Sequence, residues 1–175
     1  MTSPRDREAL ITIARTAIRA ELEKQDPVIT ERPEGSGGVF VTLKIDGMLR
    51  GCIGRLQSQD PIYETVAEMA RSAALSDPRF PPLSRDEFEK IGIEISRLSE
   101  FFPIRAEDVE VGTHGLMLSL GYRSGLLLPQ VPGEQGWDRA AFLSGLCRKS
   151  GLPEGSWENP DAVLQAFTAE VFGED

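Results

Sequence analysis

The sequence predicts an α+β fold, mainly an antiparallel sheet packed with helices, on three observations. The stretch VFVTLKIDGMLRGCIGRL (39–56) carries two apolar runs around Asp46-Gly47. That dipeptide suits a two-residue hairpin turn because both of its residues tolerate positive φ. Two other segments, within 4–22 and 62–73, repeat apolar residues at helical spacing. Helical and extended segments also follow one another without the strict alternation of a parallel doubly wound sheet, which favours hairpins and antiparallel pairing.

Each element has its own signals. Ser3 is placed to N-cap the first helix, Pro4 to occupy its first position and Asp6 to put negative charge in its first turn. Leu10, Ile13, Ala14, Ala17, Ile18 and Leu22 form its apolar stripe, and Pro27 lies beyond its end. ERPEGSGG (31–38) reads as a mobile loop. In an unbroken hairpin Ile45 faces Met48, Leu43 faces Arg50, Val41 faces Cys52 and Val39 faces Gly54. That register puts Arg50 and Cys52 on the apolar face with Val39, Val41, Leu43 and Ile45. A long cation on such a face is a local conflict, which a bulge at Gly51 or Gly54 would relieve.

DPIYETVAEMARSAAL (60–75) is the second helix, capped by Asp60 and opened by Pro61, with Ile62, Val66, Met69, Ala70 and Ala73 inward. The prolines of SDPRFPPL (76–83) end it. Ser84 and Glu87 then make a capping box, and Leu83 and Phe88 a hydrophobic staple, for a short helix. IGIEISRLS (91–99) alternates as a strand with Ile91, Ile93 and Ile95 inward. THGLMLSLGYRSGLLLPQVP (113–132) reads as two strands around a Gly121–Gly125 turn. GWDRAAFLSGLCRKSGL (136–152) is a helix with Phe142, Leu143, Leu146 and Cys147 at core spacing and Gly151 at its left-handed end. LQAFTAEVF (164–172) alternates as one closing strand.

The net charge of −9 disfavours a general nucleic-acid binder and an anionic membrane surface, and no apolar run reaches the length of a membrane span. The N-terminal stretch is charged from residue 5 and amphipathic rather than secretory, so a cytoplasmic setting with reduced thiols is expected. Cys52 and Cys147 stand far apart and form no C-x-x-C. The single histidine, His114, must serve any imidazole chemistry, and the spacing predicts no metal site.

The candidate site residues centre on Cys52. Arg50 and Arg55 lie close in sequence, and cations favour a thiolate. Gly51 and Gly54 would let a ligand approach the backbone. The alternative is a small buried residue in a tight strand. Gly51-Cys52-Ile53-Gly54 also matches the bare G-x-x-G of KH-type RNA clamps, but on a hairpin arm of an acidic chain. Asp77 and Arg79, on the proline-locked loop, either present a carboxylate and a guanidinium to a polar ligand or pin the loop. His114 is a candidate general base for Cys52, or a metal ligand beside Cys52 and Glu94, or a structural residue. Gln130, between Pro129 and Pro132 at a strand end, could orient a ligand or cap backbone groups. Trp137 and Trp157 are expected in packing.

At LRGCIG (49–54) the chain resembles the AMMECR-type family, the protein A component of the AmmeMemoRadiSam system. DPRFPPL (77–83), IEISRLSE (93–100), HGLML (114–118), GLLLPQVP (125–132) and KSGLP with Trp157 occur in the family's order, so the resemblance runs from about residue 8 onward. It implies a cytoplasmic protein with one AMMECR-type domain over residues 1–175, made of a larger sheet-and-helix part and a smaller lobe. It also implies a Memo-type protein and a radical S-adenosylmethionine protein as partners. It carries no reaction with it, and it leaves the cofactor open. Two functions stay open. One is a small polar or anionic ligand held in a pocket of the LRGCIG motif, with Cys52 acting as an enzyme's reactive group. The other is a non-catalytic scaffold or partner-binding protein of the same system.

Overall fold

The computed structural model describes residues 1–174 and is α+β. By its internal contacts the chain divides into two compact units. One comprises Met1–Leu98 with the C-terminal segment from Glu170, and the other Ser99–Ala169.

In the first unit, α1 (Pro4–Glu23) starts where the cap was expected, with the Ser3 side chain accepting from the Asp6 N–H. It ends at Lys24 in the left-handed conformation (φ 57°). The loop that follows has no regular structure but is tied down. Gly35 O accepts from Ile62 N, Gly37 N donates to Ser58 O, and Gly38 O accepts from Leu98 N. β1 (Val39–Ile45) and β2 (Met48–Arg55) form the expected hairpin, with Asp46 at φ 51° and Gly47 at φ 74°, as a two-residue turn requires. α2 (Ile62–Leu75) follows. Its N-cap is Pro61 rather than Asp60, whose carboxylate is taken by Arg55 and Ser58. α3 (Arg85–Phe88) has the full capping box, and Leu83 and Phe88 are both buried. β3 (Gly92–Leu98) pairs with β1 and buries Ile93 and Ile95.

The sheet order is β2-β1-β3-β8, where β8 is Ala169–Gly173. Val39, Val41, Leu43, Ile93 and Ile95 face α1 and α2, and together they make the core. β8 is fastened to α1 by charge. Glu170 accepts from the Thr2 N–H (3.0 Å), the Thr2 hydroxyl (2.7 Å) and Arg7 (2.5 Å). Glu174 accepts from Arg15 and from the Ile93 N–H.

The second unit has a sheet of order β4-β7-β5-β6: β4 (Phe102–Pro103), β5 (Gly115–Leu120), β6 (Arg123–Leu127) and β7 (Val163–Phe167). The β5–β6 turn is the two residues Gly121 and Tyr122. Gly125 lies inside β6 opposite Leu118, where a side chain would meet Ser150 at 2.4 Å. A short α4 (Val131–Gln135), unexpected from the sequence, precedes α5 (Arg139–Lys149). Phe142, Leu143, Leu146 and Cys147 of α5 pack on Leu116, Leu118 and Ala166, and Gly151 has φ 66°. The expected closing strand is two strands, β7 and β8, separated by Thr168 and shared between the two sheets.

Gly51 tests the packing of α2 on β2. A Cβ there would lie 2.2 Å from the Ala73 carbonyl oxygen, a backbone atom that cannot step aside. Gly51→Ala is expected to lower the unfolding free energy by about 2 kcal/mol or more, as overpacking does. Gly92→Ala, with open space at its Cβ, should stay within about 0.5 kcal/mol of wild type. Urea titrations of both variants make the comparison.

Candidate functional site

The site begins with one extra residue. Along the hairpin Ile45 pairs with Met48 and Lys44 with Leu49, but Leu43 pairs with Gly51, so Arg50 has no partner on β1. This bulge changes the side-chain parity of everything after it. Gly51 and Ile53 join the helix-facing side, whereas Cys52 pairs with Thr42 and Gly54 with Phe40 on the opposite side. The unbroken register, which put Cys52 over Val41 in the core, is corrected accordingly. Cys52 is half-buried on the face turned away from α1 and α2, with the Thr42 hydroxyl 3.2 Å from its sulfur.

The outward backbone groups of Cys52 lie on the sheet edge, because β2 is the terminal strand. The loop after α2 covers them. Asp77 Oδ2 accepts from the Cys52 N–H at 2.9 Å, and Arg79 Nη2 donates to Cys52 O at 3.2 Å. Asp77 also accepts from Arg79 Nε (3.0 Å), Nη2 (2.7 Å) and backbone N–H (3.0 Å). Arg79's hydrogen bonds hold the buried Asp77 carboxyl well below the usual carboxylate range, and the Cys52 N–H adds to the effect.

The bulge takes Arg50 out of the ladder, and its side chain is clamped rather than free. Its Nε and Nη2 donate to the two oxygens of Glu87 at 2.8 and 3.0 Å, and Nη2 also donates to Pro81 O at 3.0 Å. The side chain is nine-tenths buried, and Nη1 is buried without a hydrogen-bond partner among the described residues. The Phe80 ring lies under both guanidiniums, 5.7 Å from Arg50 and 5.6 Å from Arg79. Glu87 doubles as the capping-box carboxylate of α3, accepting from Ser84 N at 2.9 Å. The Arg50 bond, with the Ser84 N–H behind it, pulls its pKa down to about 2.

Arg50, Cys52, Asp77 and Arg79 thus come together in the first unit. The positive field expected around Cys52 is offset, since Arg50 pairs with Glu87, Arg55 with Asp60 and Glu68, and Arg79 with Asp77. The room left by Gly51 and Gly54 holds the protein's own atoms. Beside Gly51 these are the Ala73 carbonyl, and beside Gly54 the Phe40 ring, 2.2 Å from where a Cβ would stand. His114 and Gln130 belong to the second unit. His114 Nδ1 accepts from the Glu110 N–H at 3.1 Å, and Phe102 stands edge-on to its ring. Gln130 is exposed and lies past the end of β6, as the N-cap of α4 with no side-chain capping bond. Glu94 pairs with Lys44, and no three His, Cys, Asp or Glu side chains group as a metal site among the described residues. Thr42, Phe80 and the second role of Glu87 are additions that the structure makes to the site. Thr42 follows once the bulge is placed, whereas the pairing of Glu87 with Arg50 leaves no local signal.

The model of the AMMECR1 family matches residues 11–172. The chain is 45% identical to the protein MK0488 of Methanopyrus kandleri, over 96% of this chain and 88% of that one. It is 39% identical to the protein TK0174 of Thermococcus kodakarensis, over 96% and 90% respectively. It is also similar to the crystal structure of the uncharacterized protein PH0010 from Pyrococcus horikoshii. There the TM-score is 0.78 and the identity 37%, over 95% of this chain and 90% of that one.

The Arg50–Glu87 clamp has a pH signature. Glu87's pKa falls from the ordinary 4.5 to about 2 on folding, so its stabilisation is complete above about pH 4.5 and is lost as pH falls through about 2. Glu87→Gln should therefore be less stable than wild type near pH 7, and the gap should narrow across that acid interval. Arg50→Lys, which cannot span both carboxylate oxygens, should cost about 1–3 kcal/mol near neutral pH. Urea midpoints at several pH values measure both.

Proposed function

The chain belongs to the AMMECR1 family, and on that premise we propose that its first unit binds a small polar or anionic ligand beside Cys52, in a site built on LRGCIG (49–54). In this reading Cys52 is the group that meets the ligand and acts as nucleophile or redox thiol. Asp77 and Arg79 supply the polar wall. The protein works in the cytoplasm alongside a Memo-type protein and a radical S-adenosylmethionine protein, as the family resemblance implies. Among the described residues no helix is long and apolar enough to cross a membrane. His114 and Gln130, engaged or exposed within the second unit, take no part in this reading.

The observation that carries the proposal is the bulge at Arg50. It takes a cysteine that strand alternation would bury and turns it to the face away from the helices, next to a half-exposed guanidinium. Bulges concentrate beside sites where a side chain must be re-aimed. A second reading, a non-catalytic scaffold that docks on the same partners, is favoured by the matching of Arg50, Arg55 and Arg79 with carboxylates.

Brief labelling with iodoacetamide near neutral pH, read by mass spectrometry, tests the first reading. Cys52 should be alkylated while Cys147, fully buried on α5, stays intact. Equal or slower labelling of Cys52 would sink it. A ligand and activity screen of wild type and Cys52→Ser, with and without the two partner proteins, tests the rest. Loss in the variant supports a working thiol, and identical profiles support the scaffold.

A further inference from the structure

We infer that Arg79, rather than Arg50, is the anion-gripping residue of the Cys52 site, and that its ligands are small carboxylates. The inference rests on the reading of Cys52 as the ligand-facing thiol.

Three arginines lie near Cys52, and they differ in how far their guanidiniums are committed and exposed. Arg50 is nine-tenths buried and spends Nε and Nη2 on Glu87 and Pro81, and its unpartnered Nη1 is buried with the rest of the side chain. Arg55 gives Nη1 to Asp60 and Nη2 to Glu68. Arg79 is 54% exposed. Its Nε and Nη2 are held by Asp77, its Nη2 also reaches Cys52 O, and its Nη1 has no hydrogen-bond partner among the described residues. The guanidinium is thereby held against a buried carboxylate and the Phe80 ring, in a side chain that stays half exposed. A donor held this way has little rotamer freedom left to lose when a ligand arrives. Asp77 is therefore a positioning residue, because it orients both Arg79 and the Cys52 backbone through the same two oxygens.

The placement of Arg79 bounds the ligand class. Arg79 touches the carbonyl oxygen of the residue that bears the thiol, and that oxygen is only a few bonds from Sγ. A small carboxylate that pairs with this guanidinium would sit beside the residue that bears the thiol. The Thr42 hydroxyl, 3.2 Å from Sγ, supplies a hydrogen bond to the sulfur from the neighbouring strand.

Two alkylating reagents with the same carbon and leaving group make the test. In both iodoacetate and iodoacetamide the thiolate forms an S–C bond to the methylene as the C–I bond breaks, and iodide departs with the electron pair. Only iodoacetate carries the adjacent carboxylate. The ratio of the two rates at Cys52 is expected to exceed that of glutathione by about tenfold, the effect of one charge-assisted contact. The iodoacetate rate should saturate with concentration, and added acetate should slow it more than chloride at equal ionic strength. In Arg79→Met the ratio should fall to that of glutathione, and Arg79→Lys should recover part of it. The acetate protection uses only the wild-type protein, so it stands even where Arg79→Met does not fold. A wild-type ratio equal to that of glutathione, or one unchanged in Arg79→Met, overturns the anion site while leaving Cys52 accessible. No labelling of Cys52 by either reagent overturns the underlying reading as well.

Discussion

One extra residue in β2 organises the first unit. Without the bulge at Arg50, strand alternation would carry Cys52 beneath α2 and press a guanidinium into an apolar core. With it, Gly51 rather than a larger residue meets the Ala73 carbonyl, so α2 can lie close on the sheet. Arg50 leaves the ladder and bonds Pro81 O of the loop before α3, while its fork closes on Glu87 of α3 itself. A helix contact, the direction of a thiol and the anchoring of a loop all follow from one break in register.

The second dependence is at the sheet edge. An exposed terminal strand offers unpaired N–H and C=O groups to any extended chain. Here Asp77 and Arg79 satisfy the two groups of Cys52 with side chains, one accepting and one donating, in place of a neighbouring strand. The pair thus closes the edge at the position where the thiol stands, and the same hydrogen bonds orient the guanidinium beside it. Structural protection and presentation of a polar surface are not competing roles for these two residues.

Most of the helices and the hairpin turn were legible in the sequence because their signals are local. Ser3, Pro4, the Asp46-Gly47 turn, the Ser84–Glu87 box and Gly151 act within a few residues of themselves. The misreadings have a different origin. The position of the bulge depends on which side chain at residues 50–54 can face α2, and that is a contact between distant segments. Asp60 gave up its capping role to Arg55 and Ser58. Thr168 splits one alternating run between two sheets, which alternation alone cannot reveal. At the candidate site the sequence named Cys52, Arg50, Asp77 and Arg79, and the fold brought them together. It could not show that Arg50 is clamped, because Glu87 already satisfied a complete local motif.

The junction at Thr168 bears on how the molecule is made. β7 completes one sheet and β8, one residue later, completes the other, whose remaining strands lie before residue 99. In chain order the second unit is therefore an insertion between β3 and β8. During synthesis, the first three strands and both long helices emerge well before the strand that finishes their sheet. Until residues 99–169 have been translated, β3 stands as an uncovered edge, and Arg7 and Arg15 of α1 await the carboxylates of Glu170 and Glu174. The last strand to join, β8 on β3, makes one of the longest-range pairings in the chain, a topology that slows folding.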